Sequence, residues 1–431
     1  MENLKEIESM NEFDLHMPSE VLPIQVKQNK SVIGKISISN FPTGARSNFG
    51  QGKNTDFEIN IQNSQQMLLS SSVICCDMTL TGSTAGKYVK YQGGQTALKS
   101  ITISLDNKKL VDLQNNADKV GDFHLRSTST EDELNVGYST LGYSANIQNG
   151  ETITLRIDLK HFGCDIGNLI PTGTIGSMLR INGTINDNSL TQLSEGDTDT
   201  DTADDNIIPP AGCILTYDNI RLESEFVELQ PMLLNKRIEK IKSSSGLTIP
   251  FHTYAVDSRT LADVNSFNER IALSYNNVVA LYQIPYGQTK TNNYYNTLTW
   301  GGNNMNEVGP YYVKFDGGQY YNLNSNAGQK GLASHAQALL NASKSEFTSS
   351  GYGSLMILRM NKYQVLATNF VRSNNVLSPS ITDSGVNARL QSGIISTECN
   401  FLNDLNTNQL ITIVKFTRRI VFKNGSMDVF S

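Results

Sequence analysis

The sequence predicts an all-β protein built from two consecutive β-sandwich domains, with a few short helices confined to loops. Three observations carry the prediction. Ile, Val and Leu alternate with Thr, Ser and Asn in segment after segment, which is the period of a half-buried strand. The length of 431 residues exceeds one ordinary compact domain and suits two of about 200. A charged, helix-permissive stretch ending in Ser/Gly punctuation, Gln230 to Gly246, lies between two strand-rich halves.

Taken in order, residues 1–20 form an acidic arm with six acids and one Lys. They lack the apolar stretch of a signal peptide. Strand-like segments begin at Val21. Phe57, Ile59 and Ile61 alternate with Glu58, Asn60 and Gln62, and Ile74, Cys76, Met78 and Leu80 share one face of the next segment. Ile101 to Leu113 reads as a hairpin turning at Asp106-Asn107. The clearest strand is Glu151 to Leu159, with Ile153, Leu155, Ile157 and Leu159 on one face. Leu179, Ile181 and Ile185 repeat the pattern, with a bulge or bend expected at Gly183. Ile214 to Leu229 supplies one or two strands more.

The second half is looser and richer in aromatic pairs such as Tyr294-Tyr295 and Tyr311-Tyr312. One helix is expected between Gly331 and Ser349, where Leu332, Ala336, Leu339, Leu340 and Phe347 fall near helical spacing. The chain closes on a hairpin from Leu410 to Phe430 that turns at Asn424-Gly425, because both positions of such a turn require φ > 0. The domain reading is therefore an arm over 1–20, a first sandwich over 21–229, a linker over 230–246 and a second sandwich over 247–431. Antiparallel strands with long polar loops in units of this size fit jelly rolls, eight strands in two packed sheets.

Composition excludes several function classes. A net charge of −6 argues against nucleic-acid binding by bulk charge. No apolar run reaches membrane-spanning length. Cys75, Cys76, Cys164, Cys213 and Cys399 show no CxxC spacing, so they read as buried thiols of a chain folded in a reducing compartment.

Motifs that might carry chemistry fall short on their own terms. GSTAGK, Gly82 to Lys87, has too short a glycine spacing for a phosphate loop, and Tyr88 stands where Ser or Thr is needed. Asp197, Asp199 and Asp201 alternate as in a calcium loop, but Thr202 and Ile208 occupy its glycine and bidentate-acid positions. The tract therefore reads as a solvated acidic loop. His161 and Cys164 are three apart but lack a second ligand pair. Glu223 and Glu225, in the right class for a glycosidase dyad, read as the wet face of a strand. Two basic groups, Lys236, Arg237, Lys240 and Lys242, and Lys415, Arg418, Arg419 and Lys423, are candidates to face packaged nucleic acid or lipid headgroups, but read first as solvated linker and strand-edge charges. Asn182, Asn341 and Asn424 open sequons by chance. The sequence thus assigns no catalytic, cofactor-binding or metal residue, and no cofactor.

Three stretches carry a family resemblance. They are NTDFEINIQNSQQMLLSSSVICCDMTL (Asn54 to Leu80), ETITLRIDLKHFGCDIGNLIPTGTIGSMLRINGTIN (Glu151 to Asn186), and SGVNARLQSGIISTECNF followed by the Leu410 to Phe430 hairpin. In order and spacing they resemble the double jelly-roll major capsid proteins of the adenovirus and tectivirus lineage, in the form found in Polinton-like viruses, adintoviruses and virophages. The resemblance implies a structural subunit without catalysis, located in the virion. Two jelly rolls would stand side by side, roughly perpendicular to the shell, and three chains would form a pseudo-hexagonal capsomer. Its partners would be itself, neighbouring trimers and a penton or minor capsid protein, with an internal membrane or packaged DNA inside the shell and no sequence-specific nucleic-acid binding. Insertions shorter than those of the larger hexons imply short outer towers. The rival expectations are a single elaborated jelly-roll capsid protein of a small DNA virus, a two-module carbohydrate-binding or adhesion protein, and a glycoside-processing enzyme.

Overall fold

A computed structural model describes residues 32–50, 53–62, 66–83, 88–91, 94–128, 145–164, 166, 169–171, 178–186, 193–196, 212–261, 266–286, 308–315, 318–323, 365–370, 393–401 and 409–430. The first half runs through β1 (Val32–Asn40), β2 (Phe49–Gly50), β3 (Asp56–Ile61), β4 (Gln66–Thr81), β5 (Tyr88–Tyr91), β6 (Leu98–Leu105) and β7 (Lys108–Leu113). After helix α1 (Ala117–Thr128) come β8 (Ala145–Ile147), β9 (Thr152–Asp158), β10 (Leu169–Ile170), β11 (Leu179–Ile185), β12 (Leu193–Gly196) and β13 (Ile214–Leu229). Helix α2 (Pro231–Lys242) follows. The second half holds β14 (Leu247–Thr260), β15 (Ser266–Ala272), β16 (Val278–Tyr286), β17 (Val308–Phe315) and β18 (Gly318–Leu323). It ends with β19 (Leu366–Asn369), β20 (Ile394–Phe401), β21 (Gln409–Lys423) and β22 (Ser426–Phe430).

The strand order is the same in both halves. In the first, one sheet runs β1-β13-β4-β10, with β9 also on β4, and the other runs β3-β11-β6-β7. In the second, the sheets run β14-β21-β16-β19 and β15-β20-β17-β18. Each half therefore pairs its first principal strand with its last and its second with its penultimate, and every pairing is antiparallel. This inward wrapping is the jelly roll. Two complete sets rule out a single elaborated roll. Among the described residues no strand pairs across 230–246.

Packing explains the sequence pattern of the last long strand. In β21 all eight residues from Leu410 to Thr417 are buried, so it does not alternate as a half-wet strand would. Leu410 and Val414 join Leu281, Val313 and Ile395 in the core of the second roll. Ile411 and Ile413 instead join a larger core shared with Leu155, Phe123 and Phe162 of the first half. Strands β16 and β19 divide likewise, Leu281 and Leu366 inward, Tyr282 and Ala367 towards the first half. The central sheet of the second roll is thus covered on both faces. A buried polar cross-link lies inside that roll. The Gln283 amide nitrogen donates to Thr397 Oγ1 at 2.8 Å, and the Tyr311 hydroxyl donates to Gln283 Oε1 at 2.9 Å.

Several expectations hold and several are corrected. Both two-residue turns form with positive φ, at Asp106 and Asn107 (47° and 64°) and at Asn424 and Gly425 (52° and 73°). The strand from Glu151 ends at Asp158, where Leu159–Phe162 turn as a 3-10 helix. Ile214 to Leu229 is one strand, irregular between Asp218 and Arg221 and between Glu223 and Glu225. Gly183 is not a bulge. It stays in register with Phe57 and Ile101, and the irregularity falls at Thr184/Ile185. Its missing side chain makes room for the Phe57 ring, which a Cβ would strike. Helix α1 was not expected, and α2 occupies most of the predicted linker. The predicted helix at 331–349, the arm over 1–20, Tyr294-Tyr295 and the Asp197–Asp201 tract lie outside the described residues.

Candidate functional site: the seam between the two rolls

The densest arrangement of functional character is the seam where the halves meet. Helix α1 is its wedge. Asn116 adopts φ 59° after β7, and its carbonyl accepts the amides of Lys119 and Val120, which starts the helix. Every residue from Ala117 to Leu125 is buried, so this stretch of the helix is enclosed on all sides although it carries Asp118, Lys119 and Asp122. Lys119 Nζ lies 3.0 Å from Asp118.

One side of α1 packs on the first roll through Gly121, where a Cβ would come within 2.7 Å of the Phe162 ring. The other side meets the second roll. Phe123 and Tyr282 have ring centroids 4.7 Å apart, and His124 meets Tyr254 edge-on at 5.5 Å. His124 Nδ1 and His161 Nδ1 are 3.0 Å apart, so one ring donates its proton to the other. Burial, with help from His124 and Lys160, holds the His161 pKa well below its ordinary 6.5. Gly163 then closes the 3-10 turn at φ 79°. A Cβ there would lie 3.0 Å from the Tyr254 backbone nitrogen and 3.1 Å from Thr253 Cα.

Two further ties cross the seam. Arg418 Nη1 donates to the carbonyls of Lys109 and Leu110, each at 2.9 Å, while its guanidinium sits 5.5 Å from the Phe416 ring centroid. Tyr275 stacks on the same ring at 3.8 Å. Burial lowers the Arg418 pKa, but the cation persists because its ordinary value is 12.5. Beneath α2, the buried Arg237 donates to the Leu169 carbonyl at 2.5 Å. The amides of Asn424 and Gly425 donate to the Ser243 and Ile241 carbonyls, fixing the carboxyl end of α2 to the last hairpin turn. The Lys108–Asp428 pair at 3.0 Å is half exposed on both sides and adds little.

The residues singled out from sequence fall elsewhere or change role. His161 meets His124, and Cys164 is buried in the shared core; no group of three metal-ligating side chains occurs among the described residues. Glu223 lies between Arg156 and Arg221, each at 3.2 Å, and Glu225 sits opposite Ser37 on an open sheet face, which is no glycosidase cleft. Gly82 takes φ 81° and its amide donates to Asn149 Oδ1, while 84–87 lie outside the described residues. Neither basic group is a simple solvated face. Arg237 and Lys415 are buried and Arg418 is half-buried, whereas Lys236, Lys240, Lys242, Arg419 and Lys423 are exposed. A shallow groove of about 390 Å³ lies over the polar face of β3, β11 and β6, where Ser100, Thr184 and Asp56 already bond one another.

Sequence reasoning missed the seam because its parts, Gly121, His124, Gly163, Tyr254 and Arg418, are far apart in the chain and individually ordinary. No local signal marked it, since α1 buries Asp118, Lys119 and Asp122, residue types that ordinarily form a wet face.

No family model matches the chain, and no curated protein matches it. Solved structures do. VP54 of PBCV-1, fitted into the virophage Sputnik, is similar at a TM-score of 0.64 and 11% identity, over 94% of this chain and 98% of that one. The Faustovirus major capsid protein is similar at 0.60 and 11%, over 94% and 93%. The mavirus major capsid protein is similar at 0.52 and 10%, over 96% and 93%. The likeness runs through both halves at once, and this chain accordingly has the double jelly-roll fold of those major capsid proteins.

Proposed function

We propose that the chain is the major capsid protein of an icosahedral DNA virus, a structural subunit that trimerises into pseudo-hexagonal capsomers and resides in the virion. The carrying observation is the repeated strand order joined by a shared core. Two like rolls per chain give a three-chain ring six like corners. The seam makes this useful, because α1, Gly163 and Arg418 hold the two corners of each subunit at one spacing and angle. On this reading the units are 21–229 and 247–431, with 230–246 between them and 1–20 as an assembly arm.

The fold also has two unlike ends. Val32 pairs with Leu229, and Leu247 with Phe422, at the end where α2 and the tight turns 106–107 and 424–425 lie. At the opposite end Thr81 pairs with Ile214, and Gln409 with both Thr260 and Tyr286. The connections 287–307 and 324–365 begin there, and so does the segment 186–213 that holds β12, whereas 371–392 begins and ends towards the α2 side. We assign the long-loop end to the outside of the shell and the tight-turn end to the inside.

The purified chain should run near three times 47.5 kDa and remain trimeric on dilution, with a roughly hexagonal outline in projection images. Its interface should bury well over ~2,000 Å² in total. A stable monomer overturns the proposal. Neighbouring trimers and a penton or minor capsid protein are the partners this reading requires.

A further inference from the structure

The tight-turn end carries a lysine surface at odds with an acidic protein, whose net charge is −6. On α2, Lys236, Lys240 and Lys242 are exposed, and only Arg237 and Ile241 are buried. Lys423 is exposed beside the carboxyl end of α2, which the Asn424 and Gly425 amides tie down. Lys35 projects from β1, which meets the end of β13 one residue before α2 begins. Among the described residues, Glu228 and Glu239 are the exposed acids beside α2. Lys108 and Lys109 lie on the same end and pair with Asp428 and Asp112.

Two exposed aliphatic side chains lie on this lysine surface. Met232 is 41% exposed on the stripe of α2 that carries Lys236 and Lys240, at successive steps of four. Ile33 is 58% exposed on β1, next to Val32, which packs in a small cluster with Leu229 and Leu234. Ile36, also exposed, lies on the other face of β1, opposite Phe226. A 12-residue helix is about 18 Å long, so α2 spans from the aliphatic corner to the Lys242/Lys423 corner as a bar lying on the surface.

We propose that this end is a docking surface for anionic lipid headgroups. The proposal rests on the capsid reading only for the direction in which the end faces. Lysines on flexible stems above aliphatic contacts suit a membrane surface, where ammonium groups meet phosphates and Met and Ile side chains enter the acyl boundary. A nucleic acid has no use for exposed Ile and Met, and its binders favour Arg and aromatic platforms, whereas the exposed cations described on α2, at Lys35 and at Lys423 are all lysines. Charge complementarity thus selects an anionic partner, and the aliphatic residues select lipid.

The test is co-sedimentation of the full chain with phosphatidylcholine vesicles, with and without phosphatidylserine, the oligomeric mass being measured on the same samples. The chain should bind only the phosphatidylserine vesicles and release with rising salt. The triple variant K236Q/K242Q/K423Q should bind on the order of 100-fold more weakly, as each lysine contributes roughly fivefold. Met232→Ser with Ile33→Ser should weaken binding at unchanged salt dependence. Equal binding by the wild type and the triple variant overturns the proposal, as does no binding at all. Retention on duplex DNA that outcompetes the vesicles and needs the same lysines also overturns it, in favour of nucleic acid. A monomer that still binds the vesicles through these lysines upholds the lipid surface while refuting the capsomer reading.

Discussion

Replacing Gly163 with Ala tests whether the seam is a close-packed joint. Two costs are expected. The first is backbone conformation, since φ is 79° and an L-residue in the left-handed region loses about 1–2 kcal/mol. The second is collision. The new methyl would sit 2.9 Å from Tyr254 Cδ2, 3.0 Å from its backbone nitrogen and 3.1 Å from Thr253 Cα. Two of those atoms are main chain of a central-sheet strand and cannot rotate away, so an overpacking cost of about 1–3 kcal/mol is added. Gly150 is a matched control. Its φ is 82° and nothing lies within 4 Å of its Cβ position, so Gly150→Ala reports the conformational cost alone. Scanning calorimetry on both variants should show Gly163→Ala melting several degrees below Gly150→Ala, at roughly 2–4 °C per kcal/mol for a domain of this size. The deficit should include earlier loss of the second roll. Equal melting temperatures for the two variants would refute the close seam.

Other consequences are equally direct. His161 is neutral in the fold because burial depresses its pKa below 6.5, whereas the unfolded chain protonates it near that value. Its contribution is present in full above pH 6.5 and is lost as pH falls below it, by up to about 1.4 kcal/mol per pH unit. Thermal melting should therefore drop between pH 7 and pH 5, and His161→Gln should flatten that slope; an unchanged slope contradicts the assignment. Gly183→Ala should cost about 1–3 kcal/mol through the Phe57 ring, and Phe57→Leu in the same chain should relieve part of it. Strictly additive denaturation midpoints would show that the ring is not the obstacle. All five cysteines are buried, and burial raises the Cys75 pKa to about 11 and pushes Cys76 and Cys399 up as well. A thiol reagent at pH 8 should label none of them in the native protein and five after unfolding. Rapid native labelling of Cys75 would place it outside the sheet.

Much of this fold was legible in the sequence where one face is wet and the other dry. Phe57, Ile59 and Ile61, or Leu179 and Ile181, alternate because sheet β3-β11-β6-β7 faces solvent on one side. Turns at Asp106-Asn107 and Asn424-Gly425 were readable because few residues tolerate positive φ. The shared core was not readable. Once the central sheet of the second roll is covered on both faces, Leu410 to Thr417 loses its period and carries no mark of which side meets which neighbour. Gly183 shows a different limit, since a glycine in a strand signals a bulge as readily as a neighbour's ring. The lysine end was half legible. Lys236 to Lys242 stood out as a cluster, but the buried Arg237 within it and Lys423 beside it are tertiary facts.

The wrapping of each roll also orders its birth on the ribosome. Strand β1 finds its partner only when β13, nearly two hundred residues later, has been made. Strand β14 must wait likewise for β21, well over a hundred residues later. Because β21 is the middle strand of the sheet covered on both faces, neither the second roll nor the joint to the first is sealed until β21 is free. Pairings so distant in sequence close slowly. A nascent chain or fragment without β21 thus lacks the fixed angle between its rolls. On the proposed capsid reading such a chain cannot present two corners at once, and fragments are kept out of the shell without a dedicated inspector.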